Sequence, residues 1–239
     1  METPQISIVI PAYNESGRIS LTLEKIINYF RASNAAFEII VVDDGSADGT
    51  ADVARSVCDR LSFPVKIIAD RPNRGKGCAV KTGMLAANGE YVLFTDADLS
   101  TPIEEFAGMK KEIDGGCDIV IGSRALKDSL IALRQPFYRE WMGKIFNLFM
   151  RLIVGLNYRD TQCGFKLFNR RAATGVFGDM LTSNFAFDVE ALLIAQRRGF
   201  KIKELPVKWL NSPVSRVHIL RDSFAMFSRL LALRRLYHP

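Results

Sequence analysis

The chain has 239 residues, 48% hydrophobic and 24% charged, which supplies a substantial core and excludes a disordered chain. A net charge of +6 and a pI of about 9.2 favour anionic partners such as nucleotide or lipid phosphates and membrane headgroups. Lys and Arg are spread along the chain with no RRM, KH or zinc-finger signature, so nucleic acid is not an expected partner.

Strand and helix patterns alternate through the first half. Ile6–Ile10 is an apolar run ended by Pro11, and Ile19, Leu23, Ile26, Ile27 and Phe30 then recur at helical spacing. Phe37–Val42 reads as a strand, and Val53, Ala54, Val57, Cys58 and Leu61 as a helical stripe. Val65–Ala69 is a third strand, Lys76–Asn88 a helix stopped by Gly89, and Tyr91–Thr95 a fourth strand. Thr101-Pro102-Ile103-Glu104 has the form of a capping box, and Asp118–Ile121 reads as a fifth strand. This alternation predicts an α/β fold with a mostly parallel sheet and helices on both faces.

The second half is less regular. Glu140–Leu156 reads as an amphipathic helix, Phe165–Phe168 as a short strand and Ala186–Arg198 as a helix closed by Gly199. Ile202–Trp209 is a strand that Pro206 bends or confines to an edge, and Ile219–Leu236 is an Arg-bearing apolar helix. No repeat, low-complexity run or linker divides the chain, so residues 1–239 are expected to form one domain. No run of about 18 uninterrupted apolar residues predicts a membrane span. Met1 to Gln5 leads straight into a strand without a signal-peptide core. Cys58, Cys78, Cys117 and Cys163 form no C-x-x-C pair and read as reduced, mostly buried thiols, which points to the cytosol.

Polar motifs follow three of the early strands: Tyr13-Asn14-Glu15, Asp43-Asp44-Gly45-Ser46 and Asp96-Ala97-Asp98. Ligands of parallel α/β sheets bind beyond the carboxyl ends of the strands, so all three are expected at one edge. Asp96 and Asp98 are costly to bring together without a cation, and Mg²⁺ or Mn²⁺ would bridge them to a diphosphate. A D-x-D pair by itself also occurs as solvated turn aspartates. Asp43 accepts but never donates, so it would select a donor edge such as the imide N–H of uracil. Asp48 or Thr50 would cap the next helix, with Gly45 and Gly49 as turn residues. Tyr13 would pack on a base, and Glu15 would hold a ribose hydroxyl or a basic neighbour. Asn73-Arg74-Gly75-Lys76-Gly77 opens a helix and suits an anion, although a solvated loop reads better from this segment alone. It is not a Walker A loop.

Pro11–Glu15, Asp43–Thr50, Asn73–Gly77, Asp96–Asp98 and Gly122-Ser123-Arg124 together resemble the ordered motifs of family-2 inverting glycosyltransferases. The Asp160–Phe168 run, Phe187-Asp188-Val189-Glu190 and Ser215-Arg216-Val217 resemble the polyprenyl-phosphate branch of that family, the dolichyl-phosphate β-glucosyltransferases above the mannosyl members. The resemblance covers nearly the whole chain, and Asp160–Phe168 is its most specific part.

The resemblance implies a GT-A type fold, with residues 1–125 binding the nucleotide sugar and 126–239 facing the acceptor and membrane. It implies transfer of a hexose, UDP-glucose being the favoured donor, to a dolichyl or other polyprenyl phosphate with inversion. By position, Pro11, Tyr13, Glu15 and Asp43 would hold the nucleoside, with Asp44, Lys76 and Ala97 in the same donor site. Asp96 and Asp98 would hold the metal and diphosphate, Arg124 and Arg139 would face the acceptor phosphate, and Arg216 the donor phosphates. Asp188 or Glu190 would orient the sugar, or simply open a surface helix. Two departures stand out: Ser100 lies where mannosyl relatives often carry a Gln metal ligand, and Arg216 replaces a frequent Lys. A lipid acceptor implies a protein peripheral on the cytosolic face of a membrane, with the 140–156 and C-terminal helices as candidates for the interface.

Rival readings are a family-2 transferase using mannose or another sugar, or a polysaccharide or protein acceptor. A sugar nucleotidyltransferase and a non-catalytic nucleotide-binding module are more remote. The first shares only the early motifs. The second needs an early Gly-rich loop that Pro11–Arg18 does not supply.

Overall fold

The computed structural model describes residues 4–131, 153–210 and 230–237. A seven-stranded sheet forms its centre. The first half contributes β1 (Ile6–Ala12), α1 (Ile19–Ala32), β2 (Phe37–Asp43), α2 (Thr50–Arg60), β3 (Val65–Ala69), α3 (Lys76–Ala86), β4 (Tyr91–Thr95), α4 (Glu105–Asp114) and β5 (Ile119–Ser123). The second contributes β6 (Leu130–Ile131), β7 (Phe165–Asn169), α5 (Arg170–Asp179), α6 (Phe187–Arg197), β8 (Ile202–Pro206) and β9 (Lys208–Trp209). The order is β3-β2-β1-β4-β7-β5-β8, with β6 and β9 forming a separate parallel pair. Among the described strands only β7 runs antiparallel, wedged between β4 and β5.

The strands are apolar on both faces, as a covered parallel sheet requires. Along β1, Ile8 and Ile10 join the core beneath α1, α2 and α4, while Val9 joins the core beneath α3, α5 and α6. In β2 the same alternation assigns Ile39 and Val41 to one side and Ile40 and Val42 to the other. Helices therefore cover both faces.

Several boundaries differ from the sequence expectation. β1 runs through Pro11 to Ala12, because its ladder with β4 stops at Val9 and Pro11, lacking an N–H, meets β2 alone. Thr101 does not cap α4. It is buried with its hydroxyl 3.8 Å from Cys163 Sγ, and the helix starts at Glu105 without a side-chain cap. α3 stops at Ala86, short of Asn88. Pro206 breaks the last strand, so β8 stays in the main sheet and β9 pairs with β6. α5 was not anticipated; Asn169 caps it by accepting from Ala172 N at 2.8 Å.

Most of the expected 140–156 helix lies outside the described residues. Its described end is helical at 153–154 and stops at Gly155 (φ +72°), with Val154 and Leu156 buried in the core. Of the C-terminal helix only 230–237 is described, and it packs Leu230 and Leu233 into the same core, leaving Leu231 and Leu236 exposed. Among the described residues no helix is long and apolar enough to cross a membrane.

Candidate active site

The strand order reverses between β1, which leads outward through β2 to β3, and β4, which leads the other way. Such a switch point leaves a crevice at the carboxyl ends of the strands. Register brings the motifs to it: Ala12 pairs with Asp43, and Val9 with Phe94, two residues before Asp96. Tyr13, 44% exposed, stands just past the end of β1. Pro11 itself is buried in the strand.

The first two turns are laced together by uncharged donors and short polar side chains. Asn14 N donates to Ser46 Oγ (2.8 Å), Glu15 N to Thr50 Oγ1 (2.8 Å), and Ala47 N to Asn14 Oδ1 (2.9 Å). Ser16 N and Thr50 N both donate to Asp48, at 3.1 Å each. Burial raises the Asp48 carboxyl, but the Thr50 hydroxyl and Ser16, with these N–H donors, outweigh it and bring it down to about 2. Asp43 accepts from Ser46 N at 3.0 Å, closing its own turn. Glu15 forms a two-pronged pair with Arg18, at 2.7 Å on each prong, and Arg18 NH1 lies 3.8 Å from Asp98 Oδ2.

Asp44 has a different task. Buried, it accepts from Arg74 N (2.7 Å) and Gly75 N (2.9 Å), and so anchors the 73–77 loop to the rim. Burial raises its carboxyl, against those two N–H donors. Gly75 needs its glycine: φ is +96°, and a Cβ would meet Ser183 O at 2.5 Å. The loop is therefore anchored at Gly75, although Asn73 and Arg74 are exposed. It delivers Lys76 to the D-x-D turn, with Nζ 2.7 Å from Asp96 Oδ1. The N–H of Gly77 at the start of α3 is spent on Ser183 O (2.7 Å). Burial pulls the Lys76 ammonium down, but Asp96, Asp188 and Asp98 outweigh it and hold it above the usual lysine range.

Asp96 and Asp98 are both partly exposed at the crevice, at 33% and 22% of the side chain. Ala97 is buried between them, and its carbonyl accepts from Thr22 Oγ1 at 2.7 Å. Leu99, at φ +45°, turns the chain back, and Ser100 N donates to Asp98 Oδ1.

The wall opposite β1 comes from β7 and its approach. Asp96 N donates to Gly164 O (3.0 Å), and a Cβ at Gly164 would fall 1.9 Å from Asp96 Oδ2. Only a glycine lets the 160–168 run pass so close to that carboxylate. Lys166 shares a face of β7 with the apolar core and is buried, donating to Cys163 O (2.6 Å) and pairing with buried Asp188 of α6 at 2.5 Å. Burial pushes Asp188 up, against Lys166 and Lys76. Glu190, fully buried, accepts from Leu181 N, Thr182 N and the Tyr237 hydroxyl. Neither acid therefore stands at the surface to meet a sugar, contrary to the sequence expectation; one balances a lysine and the other caps a loop.

Arg124, just past β5, grips Asp160 through Nε (2.6 Å) and NH2 (2.9 Å), while its own N–H donates to the same carboxylate. The guanidinium carbon also lies 5.6 Å from the Trp209 ring centre. Asp160 is fixed from behind by Glu204, which accepts its N–H at 2.8 Å. Burial raises the Asp160 carboxyl, but Arg124 outweighs it and holds the group below the usual range. Arg139 and Arg216, the other two expected arginines, lie outside the described residues. Among the described residues no group of three or more His, Cys, Asp and Glu is gathered as for a metal ion.

Tyr13, Glu15, Asp43, Asp44, Lys76, Asp96 and Asp98 thus gather near the carboxyl ends of β1, β2 and β4, with Pro11 and Ala97 buried among them and Arg124 beside the β7 approach. Sequence reading missed the Lys166–Asp188 pair. A lysine inside an apolar strand was its one available signal.

The sequence profile of glycosyl transferase family 2 matches residues 7–177. A dolichyl-phosphate β-glucosyltransferase of Dictyostelium discoideum is 34% identical over 97% of this chain and 74% of its own length. That of Homo sapiens is 33% identical over 98% and 76%. Among solved structures, glucosyl-3-phosphoglycerate synthase of Mycobacterium tuberculosis in complex with phosphoglyceric acid superposes with a TM-score of 0.73 at 19% identity, covering 96% of this chain and 80% of that one. This last likeness speaks to the fold, which is that of GT-A glycosyltransferases.

Proposed function

The chain belongs to glycosyl transferase family 2, and from that premise we propose that it transfers glucose from UDP-glucose to dolichyl or another polyprenyl phosphate, with inversion. The observation that carries this reading is the meeting of Tyr13, Asp43, the Lys76 loop and the Asp96–Asp98 turn at the β1/β4 switch point. The names of the relatives, matched over nearly the whole chain, supply the sugar and the lipid. Residues 1–125 form the donor half and 126–239 the acceptor half.

In this reading Tyr13 packs on the base, Asp43 accepts its imide N–H, and Glu15, steadied by Arg18, takes the ribose. The paired carboxylates suit a divalent cation. They are anionic, partly exposed and already matched by cations from Lys76 and Arg18. Mg²⁺ needs only one or two carboxylates when substrate phosphates complete its shell. Asp96 and Asp98 would hold Mg²⁺ or Mn²⁺, which supplies charge neutralisation for the leaving diphosphate.

The acceptor phosphate is already an anion and needs alignment more than a general base. Arg124, whose orientation Asp160 and Glu204 set, would face it together with Arg139, and Arg216 would face the donor phosphates. One acceptor oxygen bonds to the anomeric carbon as the bond to the diphosphate oxygen breaks. Attack from the opposite side turns an α-linked donor into a β-linked product. A lipid acceptor requires contact with a membrane surface, in this reading the cytosolic one.

The test is incubation of purified protein with UDP-glucose, other nucleotide sugars and a short polyprenyl phosphate, with Mg²⁺ or Mn²⁺. A β-glucosyl phosphate lipid, identified by anomeric NMR couplings, is expected. Transfer from another donor in preference, or an α-linked product, overturns the reading.

A further inference from the structure

Lys76 occupies ground that a metal ion would want. Its ammonium sits 2.7 Å from Asp96 Oδ1, beside the rings of Phe94, Phe185 and Phe187, 5.6 to 6.0 Å from their centres. Asp188 acts on Lys76 electrostatically and is itself paired with buried Lys166, whose ammonium lies 5.7 Å from the centre of the same Phe94 ring. The row Lys166, Asp188, Lys76, Asp96 alternates in sign from the core to the crevice. A divalent ion bound at Asp96 would face the Lys76 charge at contact range, where like charges repel strongly. Lys76 must then give way, and a second carboxylate stands inward of it.

We propose that Lys76 is a resident counter-cation of Asp96 that competes with the divalent metal and shifts toward Asp188 when the metal enters. This rests on the reading of Asp96 and Asp98 as metal ligands. The consequence is regulatory. Without donor, Lys76 keeps Asp96 neutralised and metal affinity low. A donor diphosphate brings the negative charge that metal and Lys76 can share, so metal and donor bind cooperatively.

The test reads metal binding, not turnover. Mn²⁺ affinity of donor-free protein is measured by titration calorimetry or by the free-ion EPR signal. Lys76→Met, which puts an apolar chain of similar length among the three rings, is expected to bind Mn²⁺ about fivefold to a hundredfold more tightly than wild type, the usual span of such couplings. Lys76→Arg keeps the charge and is expected to stay near wild type. Lys166→Met/Asp188→Leu removes the inward carboxylate without stranding a buried charge, and is expected to weaken Mn²⁺ binding severalfold. Adding Asp98→Asn to Lys76→Met is expected to abolish the tightened binding. Equal or weaker Mn²⁺ affinity in folded Lys76→Met overturns the counter-cation role while leaving the metal site standing. No Mn²⁺ binding by any variant, or binding indifferent to Asp98→Asn, overturns the metal reading and the proposal with it.

Discussion

The two flanks of the β1/β4 crevice are fastened by different forces. On the β2 side, Asn14, Glu15, Ser16 and Ala47 are stitched to Ser46, Thr50, Asp48 and Asn14 by backbone N–H donors and short polar side chains. On the β7 side, fastening is ionic: Lys76 to Asp96, Lys166 to Asp188, Arg124 to Asp160. A hydrogen bond contributes about 1 kcal/mol net, so the first flank tolerates loss of any one member. Removing one partner of a buried ion pair costs about 3–5 kcal/mol, because the other charge stays behind. The β2 side is thus a platform of many small contributions. The β7 side is a charge balance with few members.

Asp98→Ala strikes that balance where the substrate enters, and has the largest expected effect. Turnover should fall by about a thousandfold or more in a protein that remains folded, since the carboxylate is partly exposed and its loss leaves no buried charge. Initial rates with the donor and a lipid phosphate check this, and activity within tenfold of wild type breaks the ionic reading of this flank.

Lys166→Met tests the same flank through stability. Asp188 would remain buried without its 2.5 Å partner, and unfolding free energy is expected to drop by about 3–5 kcal/mol in urea titrations. Lys166→Met/Asp188→Leu should recover most of the loss. A single variant as stable as wild type would make the two flanks alike.

Gly164→Ala probes geometry without altering charge. A methyl group 1.9 Å from Asp96 Oδ2 forces the carboxylate or the β7 approach to move. Misplacing a catalytic group by about 1 Å costs about a hundredfold in rate, so kcat should fall by that order. Gly178→Ala, with open space at its Cβ, is the control and should be silent.

How much of this was readable in the chain follows the same division. β3 and β4 match their expected bounds because short apolar runs between turn residues leave little choice. The three rim motifs were placed by the rule that parallel strands share a carboxyl edge, and register bears it out. What sequence did not show is the position of β7. An antiparallel strand from beyond residue 160 enters between β4 and β5, and nothing local in Phe165–Asn169 specifies its neighbours. Asp188 and Glu190 were open between a role at the sugar and an exposed helix start, yet α6 is buried along most of its length. Asn73–Gly77 looked like a loop because its anchor, Asp44, lies some thirty residues away.

The smallest expected effect belongs to Asp48, an exposed carboxylate of the hydrogen-bonded flank. Its pKa is about 2 in the folded protein against an ordinary 3.8; burial opposes the shift, and the donors from Thr50 and Ser16 outweigh it. A depressed folded pKa means that the ionised form stabilises the fold above about pH 4, and that this share is lost as pH falls toward 2. The side chain is exposed, so solvent screening keeps the contribution under about 1 kcal/mol at neutral pH. Asp48→Asn keeps an acceptor and removes the titration. The stability gap between wild type and this variant should be flat from pH 7 to about 5, shrink between pH 4 and 2, and vanish below. A gap that instead widens as the pH drops would mean that Asp48 is held in its neutral form, and that the stitched flank carries strain where its hydrogen bonds imply support.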